Sequence, residues 1–189
     1  MRGPMEHEVE IEHHTGTNKR IGILIAVMAA ALAFTEMAAR NADTDVVRET
    51  VEAADTWAFY QAKSIRAAML RADARVLQLQ GQVRDPSLVA QTIADWEATA
   101  TREDSEPSTG EGRKELAERA RAIEQRRDDR NAAKESYEYA SGALEMGILL
   151  ASSAIVTGLV PLAFLGGAMG AMGLIAGILG WAAPHILGG

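Results

Sequence analysis

Residues 47–79 read VRETVEAADTWAFYQAKSIRAAMLRADARVLQL. Val51, Ala58, Ile65, Ala72 and Leu79 recur every seven residues, and Val47, Ala54, Gln61 and Ala68 fill the alternate seam positions. A sustained seven-residue apolar repeat is the pattern of a coiled-coil seam. Here it holds for about five heptads before slipping by one residue to Val76 and Val83. Many seam residues are alanine, the best helix former and one that allows close helix approach. Neither Gly nor Pro interrupts residues 23 to 80. One helix is therefore expected to run from the preceding apolar stretch to Gln80.

Upstream, residues 21–35 (IGILIAVMAAALAFT) carry no charge, with Lys19 and Arg20 before them and Glu36 after. A basic-then-apolar order also marks a signal peptide. However, FTEMAAR lacks a small-x-small cleavage site, and helix formers continue through it. A first transmembrane helix over 21–38 is the expectation. Residues 1–20 are polar and read as a flexible tail. His7, His13 and His14 lie there among glutamates without a repeated ligand spacing, so no metal is expected.

Downstream, Gly81 and the RDPS at 84–87 break the helix. Pro86 suits a first helical position and Asp85 a cap. A shorter helix should run through Trp96, followed by a Ser/Pro/Gly/acid-rich loop over 102–112. From Arg113 a second long helix should return antiparallel to the first. Its heptad track (Leu116, Ala120, Ile123, Tyr137, Leu144) is interrupted by Arg127, Arg130 and Lys134.

No Asp, Glu, Lys or Arg follows Glu145. Residues 146–189 are expected to form a transmembrane hairpin, with Pro161 and Gly166-Gly167 marking its turn. Gly166, Gly170, Gly173, Gly177 and Gly180 are spaced four, three, four, three and so share one helix face. That is a packing surface for another backbone. The small residues Gly147, Ala151, Ala154 and Gly158 of the preceding span could receive it, or it could form a subunit contact. The predicted fold class is an all-α integral membrane protein: three transmembrane helices and a long antiparallel, coiled-coil-like extramembrane domain over 39–145.

Composition narrows function by exclusion. A formal net charge of −7 argues against nucleic acid, which calls for a basic face. The chain has no cysteine, hence no disulfide or thiolate metal site. Trp57, Phe59 and Tyr60 are three of only nine aromatics, and Lys63 and Arg66 follow at once. Tyr60, Lys63, Ser64 and Asp55 are fragments of catalytic sets. Yet no cofactor loop accompanies them and no histidine lies in residues 15–184. A reaction needs a site and not a fragment of one. We read the cluster as an interface knob, with Lys63 and Arg66 clasping rings or acids of the returning helix. Gln61 would fix the seam's register. No enzymatic activity, cofactor or small-molecule substrate is expected.

The stretch DTWAFYQAKSIR resembles the signature of the bacterial domain-of-unknown-function family 4337. The matching residues are Asp55, Trp57, Ala58, Phe59, Tyr60, Gln61, Ala62, Lys63, Ser64, Ile65 and Arg66, with Phe59 in place of a usual tyrosine and Arg66 of a usual lysine. The resemblance implies an N-terminal membrane helix, a charged helical region and two apolar C-terminal spans. It implies no activity. One departure is that GLVPLAFLGG lacks the lysines related sequences often carry at the last membrane turn. Lys19 and Arg20 beside the first span favour a cytoplasmic tail. The expected location is the bacterial inner membrane, multi-pass, with the helical domain in the periplasm. The expected function is a membrane-anchored, self-assembling scaffold whose partners are the lipid bilayer and copies of itself. The rival is a transport or channel component with a small-residue transmembrane bundle.

Overall fold

The computed structural model describes residues 4–80 and 85–183, with side chains from residue 18 onward. Four helices account for the described regular structure: α1 (Pro4–Leu79), α2 (Pro86–Asp104), α3 (Arg113–Thr157) and α4 (Val160–Ala182). There is no strand among the described residues. Three of the helices, α1, α3 and α4, contain segments long and apolar enough to cross a membrane. Helix α1 starts at Pro4, inside the stretch that composition assigns to a tail. The side chains of His7, His13 and His14, and all of His185, lie outside the described residues.

The chain forms two compact units, one of residues up to Val46 and from Asp128 onward, the other of Val47–Arg127. The boundary falls inside the predicted 39–145 domain.

The first unit holds the apolar spans. Its core is Ile21 and Met28 of α1 with Leu144, Ala151 and Ala154 of α3. Gly166, Gly170, Gly173 and Gly180 of α4 are buried against these helices. A methyl group at Gly166 would lie 2.6 Å from the Gly147 carbonyl oxygen, and one at Gly173 would lie 2.8 Å from that of Ala140. At Gly170 it would strike Met28 Sδ. Gly177 has more room, 3.7 Å from Ala140 Cβ. The glycine face thus meets α3 along its length and Met28 of α1 at one notch. In lipid, where apolar contact is available everywhere, such close backbone approach is what favours helix over lipid. Phe34, Val27, Phe164, Met172, Ile178 and Trp181 lie on the outside, exposed.

The turn between the last two spans lies earlier than Gly166-Gly167. Gly158 adopts φ +71°, the left-handed region that glycine enters freely, and its N–H donates to the Ala154 carbonyl at 2.9 Å. Pro161 then sits in the first turn of α4, where its missing N–H is harmless. Gly166 and Gly167 are inside α4, because close packing on α3 offsets the helix penalty that glycine carries in isolation.

At the polar ends of this unit the antiparallel α1 and α3 are joined by ion pairs. Lys134 Nζ donates to Asp43 Oδ1 at 2.6 Å, and Arg130 lies 3.7 Å from Asp45. The bond to Asp43, with its charge, raises the Lys134 pKa above the ordinary lysine value. These pairs account for Arg130 and Lys134 in the polar middle of the α3 heptad track.

The second unit packs α1 against α2 and the first turns of α3. The buried residues are mostly small: Ala53, Ala67 and Ala74 of α1, Ala100 of α2, and Leu116, Ala120 and Ile123 of α3. Asp85 caps α2, accepting from the N–H groups of Ser87 and Leu88 at 3.1 and 3.2 Å. Those bonds, led by the Ser87 hydroxyl, hold its carboxyl below the usual range. Helix α2 ends at Asp104, beyond Trp96, so the loop is 105–112 and not 102–112. The extra turn persists because Glu103 and Asp104 have distant cationic partners. Within the loop, Ser105 Oγ donates to Glu115 Oε1 at 2.6 Å, which lowers the Glu115 pKa. A side chain at Gly112 would collide with Glu115 and the Glu106 backbone.

Candidate functional site

The cluster from Asp55 to Arg66 lies on α1 in the second unit, and helical geometry divides it between two faces. Trp57, Tyr60, Lys63 and Ser64 are half-buried, turned toward α2 and α3. Asp55, Ala58, Gln61, Ala62 and Ile65 are exposed. Phe59 and Arg66 lie at the margin, the first 41% exposed.

On the inner face, Trp57 Nε1 donates to Glu124 Oε1 of α3 at 2.9 Å. Its ring meets Tyr60 edge-on, with centroids 5.4 Å apart. Lys63 Nζ sits 2.8 Å from Glu103 Oε2, with side chains only 14% and 8% exposed. Direction is poor enough that this is an ion pair and not a well-formed hydrogen bond, since the same oxygen has no aligned donor. Arg66 approaches the other Glu103 oxygen at 3.5 Å, and Lys63 also lies over the Phe59 ring at 5.4 Å. Asp104 receives Arg113 at 3.0 Å and Arg71 closely on its other oxygen. Arg113 stacks over Tyr60 at 5.5 Å. The aromatic and basic cluster is therefore a clasp in which α1 holds the C-terminal turn of α2 and the start of α3.

Its acidic partners, Glu103, Asp104 and Glu124, escape sequence reasoning, which took the first two for loop. A signal existed: Val89, Ile93, Trp96, Ala100 and Glu103 keep helical spacing. A cleft of about 530 Å³ opens beside Tyr60, Arg71, Asp104 and Arg113. Its two arginines already share Asp104. Ser64 Oγ donates to the Tyr60 carbonyl at 2.8 Å, a bond within its own helix. Tyr60, Lys63 and Ser64 are thus near one another, but the hydroxyl of Ser64 and the ammonium of Lys63 face separate partners.

The outer face carries the heptad seam. Val47, Val51, Ile65 and Leu79 are 58, 55, 57 and 80% exposed, and Ala54, Ala58, Gln61, Ala68 and Ala72 are exposed as well. The helices of this unit do not fill that seam. They fill a second seven-residue repeat, Ala53, Tyr60, Ala67 and Ala74, flanked by Lys63, Leu70 and Leu77. The expectation that Trp57 and Tyr60 border the Val51 seam is corrected for Tyr60, which belongs to this inner repeat, whereas Trp57 lies between the two, at the edge of the Val51 seam, with its indole turned inward to Glu124. Two apolar repeats share one helix, and the stronger of them has no partner among the described residues.

The domain of unknown function DUF4337 matches residues 17–183. No curated protein and no solved structure matches the chain.

Proposed function

We propose a role for a chain that belongs to the DUF4337 family over nearly its whole length: it is a membrane-anchored scaffold that assembles with itself through its charged helical unit. The observation that carries this reading is the exposed seam from Val47 to Leu79. An apolar heptad stripe on a helix otherwise studded with charge is disfavoured in water and is the surface that another helix covers. The inner face supports a structural role, because its basic and aromatic side chains are engaged in holding α2 and α3. The same engagement of Lys63 and Ser64 speaks against catalysis.

The glycine face of α4 is occupied by α3 and Met28, which favours a packed anchor over a pore. In this reading the anchor lies in the bacterial inner membrane, with the helical unit in the periplasm and Lys19 and Arg20 in the cytoplasm. A reporter inserted at Gly110 tests that orientation.

The test of assembly is the mass of the full chain in mild detergent by light scattering. We expect an oligomer that Val51→Glu with Ile65→Glu converts to a helical monomer. A wild-type monomer at all concentrations overturns the proposal. So does an oligomer indifferent to the two changes, since assembly would then not use the seam.

A further inference from the structure

We infer that the occupant of the seam is the same seam of a second copy, parallel and in register, with Gln61 facing Gln61 of the other copy. This rests on the self-assembly reading above and specifies its geometry. The residues Val51, Ala58, Ile65, Ala72 and Leu79 form one line of the seam, and Val47, Ala54, Gln61 and Ala68 the other. All nine are exposed. A straight stripe at seven-residue spacing is matched along its length by a helix of the same period, and a second copy supplies one.

Direction follows from the anchor. Helix α1 is one element from the first apolar span through the seam. Two copies held in one membrane therefore leave it with their chains running the same way. Register follows from Gln61, the single uncharged polar residue among the nine. Its amide has donors and an acceptor that need partners once desolvated. In a parallel pair without stagger it meets its own counterpart, which supplies both. A shift of one heptad in either direction sets each Gln61 against alanine and leaves the amide unpaired. A lone polar seam residue specifies register in this way.

Flanking charges do not oppose the arrangement. Thr50, Trp57, Ser64 and Arg71 on one edge face Asp55, Ala62, Met69 and Val76 on the other, without a like-charged pair. The rival is antiparallel pairing centred between Phe59 and Tyr60. It would set Val51 against Ala68 and Ile65 against Ala54, large against small, but needs copies anchored in opposed membranes.

The natural chain lacks cysteine, so single cysteines report the geometry directly. Val51→Cys, Ala58→Cys, Ile65→Cys and Ala72→Cys, each in the full chain in native membranes, are oxidised and resolved as covalent dimers. Glu52→Cys and Asp73→Cys, exposed but off the seam, serve as controls. We expect dimers at all four seam positions and at least fivefold less at the controls. Because these side chains are exposed in the single copy, the substitutions leave its fold intact, which circular dichroism checks. Crosslinking at Ala58→Cys alone, with Val51→Cys joining Ala68→Cys in mixed membranes, means antiparallel pairing and overturns the inference. Equal crosslinking at seam and control positions overturns it too.

If light scattering finds an oligomer that the seam charges abolish but the four cysteines do not link, assembly stands and this geometry falls. If there is no oligomer, both fall. Gln61→Leu should keep the dimer mass while adding crosslinks between Val51→Cys and Ala58→Cys in mixed membranes, the mark of lost register. An unchanged pattern removes Gln61 from that role.

Discussion

Lys63 Nζ and Glu103 Oε2 meet at 2.8 Å in a nearly dry setting, Lys63 on α1 and Glu103 on the last turn of α2. A pair of this kind contributes less through its net strength than through what its loss leaves behind. Removing one partner strands the other, whereas removing both can be neutral. We expect Lys63→Ala to destabilise the helical unit by about 3 kcal/mol, because Arg66 alone reaches Glu103 from the solvent side. The double change Lys63→Met with Glu103→Leu should be within about 1 kcal/mol of wild type. Thermal unfolding followed by circular dichroism in detergent checks both. Equal losses for single and double variants would show that the ion pair has no such coupling.

Trp57 tests the inner face independently. Trp57→Phe keeps a ring but abandons Glu124, and should cost about 1.5 kcal/mol, the lower end for a hydrogen bond to a charged group. Trp57→Ala loses the ring contact with Tyr60 as well. It should cost about 2–3 kcal/mol, less than a fully buried aromatic would. Trp57 sits at the edge of the exposed seam with its ring turned inward to Glu124, so neither change should abolish the oligomer while the fold survives.

The glycine face has a matched pair of substitutions. Gly173→Leu must push against the Ala140 carbonyl and Leu144, whereas Ala171 is exposed. Gly173→Leu should separate the last two spans, and Ala171→Leu should be tolerated. Crosslinking between α3 and α4 reads the difference directly, and equal efficiency in both variants would contradict the packing.

Acid and alkali should act on different places. The folded-state pKa values of Asp85 and Glu115 are lowered. Their contributions are present above the unfolded carboxylate range and are lost as pH falls through the folded values. That of Lys134 is raised, so its contribution is present below the ordinary lysine range and is lost as pH rises through the folded value. Melting temperature should therefore be flat between these ranges. Asp85→Asn should flatten the acid limb only, and Lys134→Met the alkaline limb only.

Much of this architecture was legible because it rests on local signals. The uncharged spans, the Asp85-Pro86 helix start and the end of α1 at Leu79 follow from composition and backbone chemistry, while Gly81 itself lies outside the described residues. The turn at Gly158 was less visible, since Gly166-Gly167 is the stronger local breaker and only contact with Gly147 and Ala151 keeps it helical. The last turn of α2 was missed for a similar reason: Glu103 and Asp104 look like loop until Lys63, Arg71 and Arg113 are seen beside them. The cluster at 55–66 stood out by its aromatic and basic residues. Its division did not, because two seven-residue repeats overlap on one helix and the more apolar one faces outward.

Met28 and Gly170 interlock although most of the chain lies between them. If the apolar segments of α1, α3 and α4 enter a bilayer as they are made, the first does so long before the segment carrying Gly170 exists. The notch at Gly170 is shaped partly by α3, which approaches α4 through a short local turn. The last two spans can therefore join as soon as both are inserted, and the first must wait for them. Until then the Met28 side of α1 faces lipid or whatever escorts nascent membrane helices. Shortening or delaying the final segment would then leave the oldest helix unattached, a defect that stability measurements on the finished protein would not reveal.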